Sequence, residues 1–234
     1  MSGGENGAPG AEAEPLFGAV VAADLLALAA LHDRELTAQR VAEVQAAGFP
    51  SSLGLRLISP AGLAALELAG LAVADLRQDE ESLSRYAASY ADTYLTHGLR
   101  ASPYESVWLD EEGLAMQAPM FETRAWYGRF GLSAPDWRTR ADDHLVLQLH
   151  FVAHLMDAVE GGAAEAADFL DQHLLRWVDR FAARVSTRCE TPFYAGLAAL
   201  TAVYVEELRD LLAVLLDKPR PDPAALEKDA GGRV

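Results

Sequence analysis

Cysteine is almost absent from this chain. Cys189 stands alone in 234 residues, which excludes a disulfide framework and any four-cysteine zinc or redox centre made by this chain by itself. The reducing cytoplasm is the compartment that such usage points to. Positive charge is scarce too, with 19 Lys and Arg against 35 Asp and Glu and a formal charge of -16. A field of that sign repels nucleic acid and anionic lipid and attracts basic partners, so neither nucleic-acid binding nor stable membrane insertion is expected. The signatures of phosphate chemistry are missing: there is no Gly-x-x-x-x-Gly-Lys-Ser/Thr loop and no Gly-x-Gly-x-x-Gly after a strand. Ser106 lies between Glu105 and Val107, not in the Gly-x-Ser-x-Gly turn that exposes a nucleophile. No segment alternates apolar and polar residues over a strand's length, so no sheet is expected, and no internal repeat of fixed period is found.

What is present is an ordered, apolar, helical pattern. Apolar residues make up 51% and charged residues 23%, which excludes disorder of the whole. Residues 1–15 and 218–234 are Gly-, Ala- and Pro-rich without periodicity and read as mobile tails, leaving 16–217 as a single all-α, bundle-like domain of about eight to ten helices. The longest apolar run, Leu16 to Leu31, is interrupted by Asp24 and preceded by Glu5, Glu12 and Glu14. The acidic lead-in, the carboxylate within the run and a length short of a comfortable span mark it as a buried core helix. Helical spacing continues over Leu36 to Ala47 and over 60–76, the latter opened by Ser59-Pro60. A polar break at Asp79 to Ser82 precedes a stripe of Leu83, Tyr86, Tyr90 and Tyr94. Leu145, Leu149, Val152, Met156 and Val159 define a helix from near Asp142 to Glu160. Leu170, Leu174, Trp177 and Phe181 mark a further one, and Phe193 to Leu215, after Thr191-Pro192, marks the last.

Function is expected between Tyr90 and Met156. His97 to Trp108 is the longest irregular stretch of the folded part, punctuated by Gly98 and Pro103, and loops carry function because they lie on surfaces. Pro119 opens the next helix, and Gly131 is suited to end it in the left-handed conformation. Asp142-Asp143-His144 then opens an apolar helix; carboxylates at such a place compensate unpaired amides and the helix dipole.

One constellation points to an enzyme. Asp143, His150, His154 and Asp157 fall at steps of seven, four and three, placing two carboxylates and two imidazoles along one helix face, with His173 as an outside candidate. The zinc-protease pattern needs Glu directly after the first His, where this chain has Phe151, and no second helix supplies the Glu-x-x-His of di-iron bundles. No resident metal is expected on that basis, and the sequence names no other cofactor. A helical metal-dependent enzyme using this face stays open as the alternative.

Five pieces in order carry a resemblance: Tyr90 and Tyr94, then Pro103-Tyr104-Glu105-Ser106-Val107, then Tyr127 to Leu132, then Asp143-His144, then Phe169, His173 and Trp177 with Phe193-Tyr194 beyond. Together they resemble the TorD/DmsD/NarJ family of cytoplasmic chaperones for molybdenum oxidoreductases, over about residues 86–205. The chain departs from the family's pattern at Thr93, where the family has Leu, and at Arg140-Ala141, where it has Glu-Pro. The resemblance implies a helical chaperone, monomer or homodimer, that binds the twin-arginine leader of an apo-enzyme until its cofactor is inserted. A leader is a basic segment followed by an apolar one, so its receptor needs carboxylates beside an aromatic groove. Glu105 and Asp143, with His144, are the expected polar side of that site. Tyr90, Tyr94, Pro103, Tyr104 and Trp108 are the expected apolar side.

Overall fold

The computed structural model describes residues 13–96 and 98–222. Ten α-helices run in order through them: α1 Ala13–Asp33, α2 Ala38–Ala46, α3 Pro60–Ala74, α4 Glu80–Tyr90, α5 Ser106–Leu109, α6 Ala118–Arg129, α7 Leu145–Ala158, α8 Gly162–Gln172, α9 Val178–Arg188 and α10 Pro192–Leu215. No strand occurs among the described residues, and the expected all-α class holds. Side-chain oxygens start three of the helices, Thr37 accepting from the Arg40 amide, Ser59 from Gly62 and Asp79 from Ser82. The polar break expected at Asp79 to Ser82 is therefore the cap and first turn of α4.

Close helix contacts are made where side chains are smallest. A Cβ on Gly18 of α1 would sit 2.2 Å from the Met156 carbonyl oxygen of α7, so glycine sets how near these helices approach. Gly196 of α10 lies likewise on the Ala69 backbone of α3. One continuous cluster of buried apolar residues, from Val21 to Leu212, joins α1, α7, α8, α9 and α10.

Asp24, the carboxylate inside the apolar run of α1, is buried. It accepts from the amides of Gly54 and Leu55, both at 2.8 Å, and from the Tyr204 hydroxyl at 2.9 Å. A buried charge is tolerated only when paired or hydrogen-bonded, and Asp24 uses these donors to tie the loop before α3, and α10, to α1. The window Leu16–Asp33 is long and apolar enough by composition to cross a membrane, and half of it is buried inside the protein.

Several expected boundaries shift. The helix expected through Leu170 and Phe181 is broken: α8 stops at Gln172, a 3-10 turn covers Leu174–Arg176, and α9 starts at Val178. The break lets His173 and Trp177 both reach one buried polar cluster, described below. In α10 the buried stripe drifts from Leu211 and Leu215 to Arg209 and Leu212, leaving Leu215 exposed. Arg209 is fully buried because Asp171 of α8 accepts from its Nε and Nη2, the shortest contact being 2.8 Å, a two-pronged geometry matched to a guanidinium. Its remaining donors go to the Lys218 and Pro219 carbonyls, and Lys218 Nζ meets Asp168 at 2.6 Å. The segment expected as a tail from residue 218 is thus tied to α8 and α10 at its start. Residues 1–12 and 223–234 lie outside the described residues.

Candidate functional site

The loop before α5 and the strand-like entry to α7 are fastened together. The Glu105 amide donates to the Asp143 carbonyl at 3.1 Å and the Leu145 amide to the Pro103 carbonyl at 2.8 Å, an isolated antiparallel bridge between Tyr104 and His144. Asp143 Oδ2 accepts from the Ser106 amide at 2.8 Å and from the Ser106 hydroxyl. Its side chain therefore caps α5, not α7. The cap of α7 is His144, whose Nδ1 accepts from the Val146 amide at 3.1 Å, which corrects the expectation that Asp142 and Asp143 open that helix. Asp142 looks the other way, accepting from Arg124 of α6 at 2.8 Å, while its carbonyl accepts from the Tyr127 hydroxyl at 2.9 Å.

Beneath this fastening lies a buried polar cluster. Glu105 is fully buried and accepts from Gln148 Nε2 at 2.5 Å and from His173 Nδ1 at 3.0 Å. The Glu105 oxygens facing Nδ1 can only accept when the carboxylate is ionised, so Nδ1 is the donor of this contact. Gln148 Oε1 accepts in turn from the Trp177 indole at 3.2 Å, and Thr123 Oγ1 stands 3.3 Å from His173 Nδ1. Loop, α6, α7, α8 and α9 are thus held at one point. Burial raises the Asp143 pKa; the two hydrogen bonds from Ser106 oppose that shift. Asp143 Oδ1 is buried and has no hydrogen-bond partner among the described residues.

The eight residues expected to meet a ligand separate into three sets. Tyr104, on the loop, and Trp108, on α5 and packed against the core, are half-buried. Tyr104 stands edge-on to His144 with ring centroids 4.9 Å apart, and the Trp108 indole donates to the Ser102 carbonyl at 2.8 Å. Pro103, Glu105, Asp143 and His144 are buried behind them. Tyr90 and Tyr94 belong to the core. Their rings lie 4.9 Å apart, with the Tyr90 hydroxyl donating to the Asp33 carbonyl and the Tyr94 hydroxyl 2.6 Å from His32 Nδ1. An exposed aromatic groove with an accessible Asp143 is therefore not what the fold presents, because these polar groups are consumed in holding the loop.

The metal-binding face does not assemble. Asp143 precedes α7 and points at Ser106, whereas His150 and Asp157 are exposed and His154 is half-buried. Among the described residues no three His, Cys, Asp or Glu side chains are grouped to hold an ion. The two departures from the family's pattern have local partners. Thr93 is buried and donates to the Ser89 carbonyl at 2.8 Å, and Arg140 pairs with Asp33 at 2.5 Å. Tyr127 to Leu132 is a helix terminator: Gly131 has φ 70°, the Leu132 amide donates to the Tyr127 carbonyl and the Gly131 amide to Gly128. Gln148 and Thr123 were not legible as members of the cluster. Gln148 is a polar residue within an apolar helix and Thr123 one polar residue among several on α6, and neither signal names a partner.

The family described as nitrate reductase delta subunit matches residues 59–183, which contain the fastened loop and all the residues of its buried cluster. Proteins named "Chaperone protein TorD" are similar: that of Vibrio cholerae O1 El Tor is 29% identical over 153 residues, 61% of this chain and 69% of its own length. That of Shewanella loihica is 29% identical over 184 residues, 76% of this chain and 86% of its own. The chain belongs to the nitrate reductase delta subunit family, the TorD/NarJ family.

Proposed function

We propose that this protein is a cytoplasmic chaperone, not an enzyme, that binds the twin-arginine leader and apo form of a molybdenum-containing oxidoreductase subunit and holds it until its cofactor is inserted and before export. The name of its relatives supports the class of activity. The observation that carries the leader reading is the placement of two half-buried aromatics, Tyr104 on the loop and Trp108 on the short α5 that follows it, with the backbone between them fixed from behind by Asp143 and Glu105. Aromatic anchors on a rigid support lose little entropy on binding, which suits them to an apolar leader segment. Pro103, Glu105, Asp143 and His144 then act by shaping that surface, and Tyr90 and Tyr94 by packing the core. The net charge of -16 favours encounter with a basic leader. Calorimetric titration of a leader peptide carrying the Arg-Arg pair, and of the same peptide with Lys-Gln in its place, tests the reading. Equal affinity for both peptides, or none for either, would sink it.

A further inference from the structure

Against the acidity of the whole chain, α9 carries a ladder of arginines. Arg180, Arg184 and Arg188 recur every four residues along one side of it, with Arg176 just before the helix and Arg100 beside it on the loop. Arg180 and Arg188 are exposed and Arg184 half-buried. None of these five lies within ion-pair distance of a carboxylate among the described residues. They are held in place without being neutralised. Arg184 Nη1 donates to the Arg100 carbonyl at 3.0 Å, Arg188 Nη1 to Leu99 at 2.9 Å and Arg180 Nη2 to Arg176 at 2.9 Å. The guanidiniums of Arg180 and Arg184 also lie 5.9 and 5.3 Å from the Trp108 ring centre. Arg100 has φ 51°, a left-handed backbone uncommon outside glycine, at the residue whose carbonyl Arg184 takes.

We infer that this ladder is a docking strip for an acidic helical segment of the client protein, adjoining the surface of Tyr104 and Trp108; the word client rests on the proposed function. Steps of four residues repeat every ~6 Å along a helix, so carboxylates spaced four apart on a partner helix meet the three guanidiniums in register. Arginine binds carboxylate through two parallel hydrogen bonds, and three such pairs fix orientation as well as contact. A nucleic-acid backbone matches the charge, but it must bring a continuous row of phosphates into the field of the whole protein. A partner helix brings a few carboxylates on an otherwise mixed surface.

The full chain is titrated with a helical peptide carrying Glu at three positions four apart, with a scrambled peptide of the same composition, with a single-stranded oligonucleotide and with the leader peptide. The ladder peptide is expected to bind at low salt, more tightly than the scrambled one, and Arg180→Glu with Arg188→Glu should weaken it ~10-fold or more, as lost charge complementarity does. Arg56→Glu, the same change on the exposed loop before α3, should leave it unaltered. Equal binding of ordered and scrambled peptides, insensitivity to the double reversal, or preference for the oligonucleotide overturns the strip. Leader binding is read separately. Its absence beside a bound ladder peptide refutes the proposed function and keeps the strip.

Discussion

Asp143 and Ser106 are joined twice, the amide and the hydroxyl of the serine both donating to one carboxylate oxygen. The remaining oxygen is buried without a partner among the described residues. Burial raises the Asp143 pKa, and the Ser106 hydrogen bonds to a single oxygen only partly oppose that. An acid whose folded pKa lies above its unfolded value of 3.8 binds more protons in the folded state, so its contribution to stability falls as pH rises from that value through the folded pKa. Asp143→Asn keeps one oxygen for both Ser106 donors and is expected to cost about 1 kcal/mol or less at neutral pH while removing this slope. Asp143→Ala leaves Ser106 unpartnered and costs more, about 2–3 kcal/mol. Urea unfolding of both variants at several pH values checks the order.

In leader binding, Tyr104→Ala and Trp108→Ala are each expected to lose about 2 kcal/mol with little salt dependence, as aromatic anchors do. Asp143→Asn should change affinity by the same amount at low and high salt, because a buried carboxylate acts by shaping the loop. A direct ion pair at an open surface would be screened. Peptide titrations at two ionic strengths decide between these.

Glu105 holds Gln148 and His173 together, and all three side chains are buried. Glu105→Ala is expected to cost about 3 kcal/mol or more, because two buried donors lose their acceptor at once. Glu105→Gln keeps one carbonyl acceptor and should cost less. Equal denaturation midpoints for wild type and Glu105→Ala would show the cluster to be dispensable.

His32 is fully buried between the Tyr94 hydroxyl at 2.6 Å and Thr201 Oγ1 at 2.9 Å, and burial lowers its pKa from 6.5 to about 3. The unfolded chain therefore takes up a proton near pH 6.5 that the folded chain refuses. Stability from this group is complete above 6.5 and is lost as pH falls toward 3, at about 1.4 kcal/mol per pH unit. Between pH 7 and pH 5 the expected loss is about 2 kcal/mol. His32→Gln should remove that part of the pH dependence, and an unchanged slope in urea unfolding would contradict the assignment.

Gly18→Ala is expected to destabilise by about 2 kcal/mol or more, as overpacking at an immobile backbone does. The methyl would enter the Met156 carbonyl, and relief requires α1 to move from α7. Thermal unfolding of this variant beside Gly128→Ala, where an added Cβ meets nothing within 4 Å, separates contact from helix propensity.

Helix positions were legible because their signals are local. Periodicity, the caps at Ser59 and the terminator at Gly131 each act within a few residues, so the all-α class and most of the ten helices follow from the sequence by itself. The order of the motifs, too, was enough to point to the family. What local signals do not carry is the partner of a polar residue. Asp143 meets a serine 37 residues earlier, and Glu105 meets a glutamine 43 and a histidine 68 residues later. A carboxylate that is exposed and one that is buried against such partners have the same neighbours in sequence. Only the tertiary structure decided that Asp143 and Glu105 lie behind the surface and that Tyr104 and Trp108 lie on it. The break between α8 and α9 was decided there as well. It comes from turning His173 and Trp177 toward one buried cluster, a demand set by residues distant in the chain, which outweighs the preference of that segment for an unbroken helix.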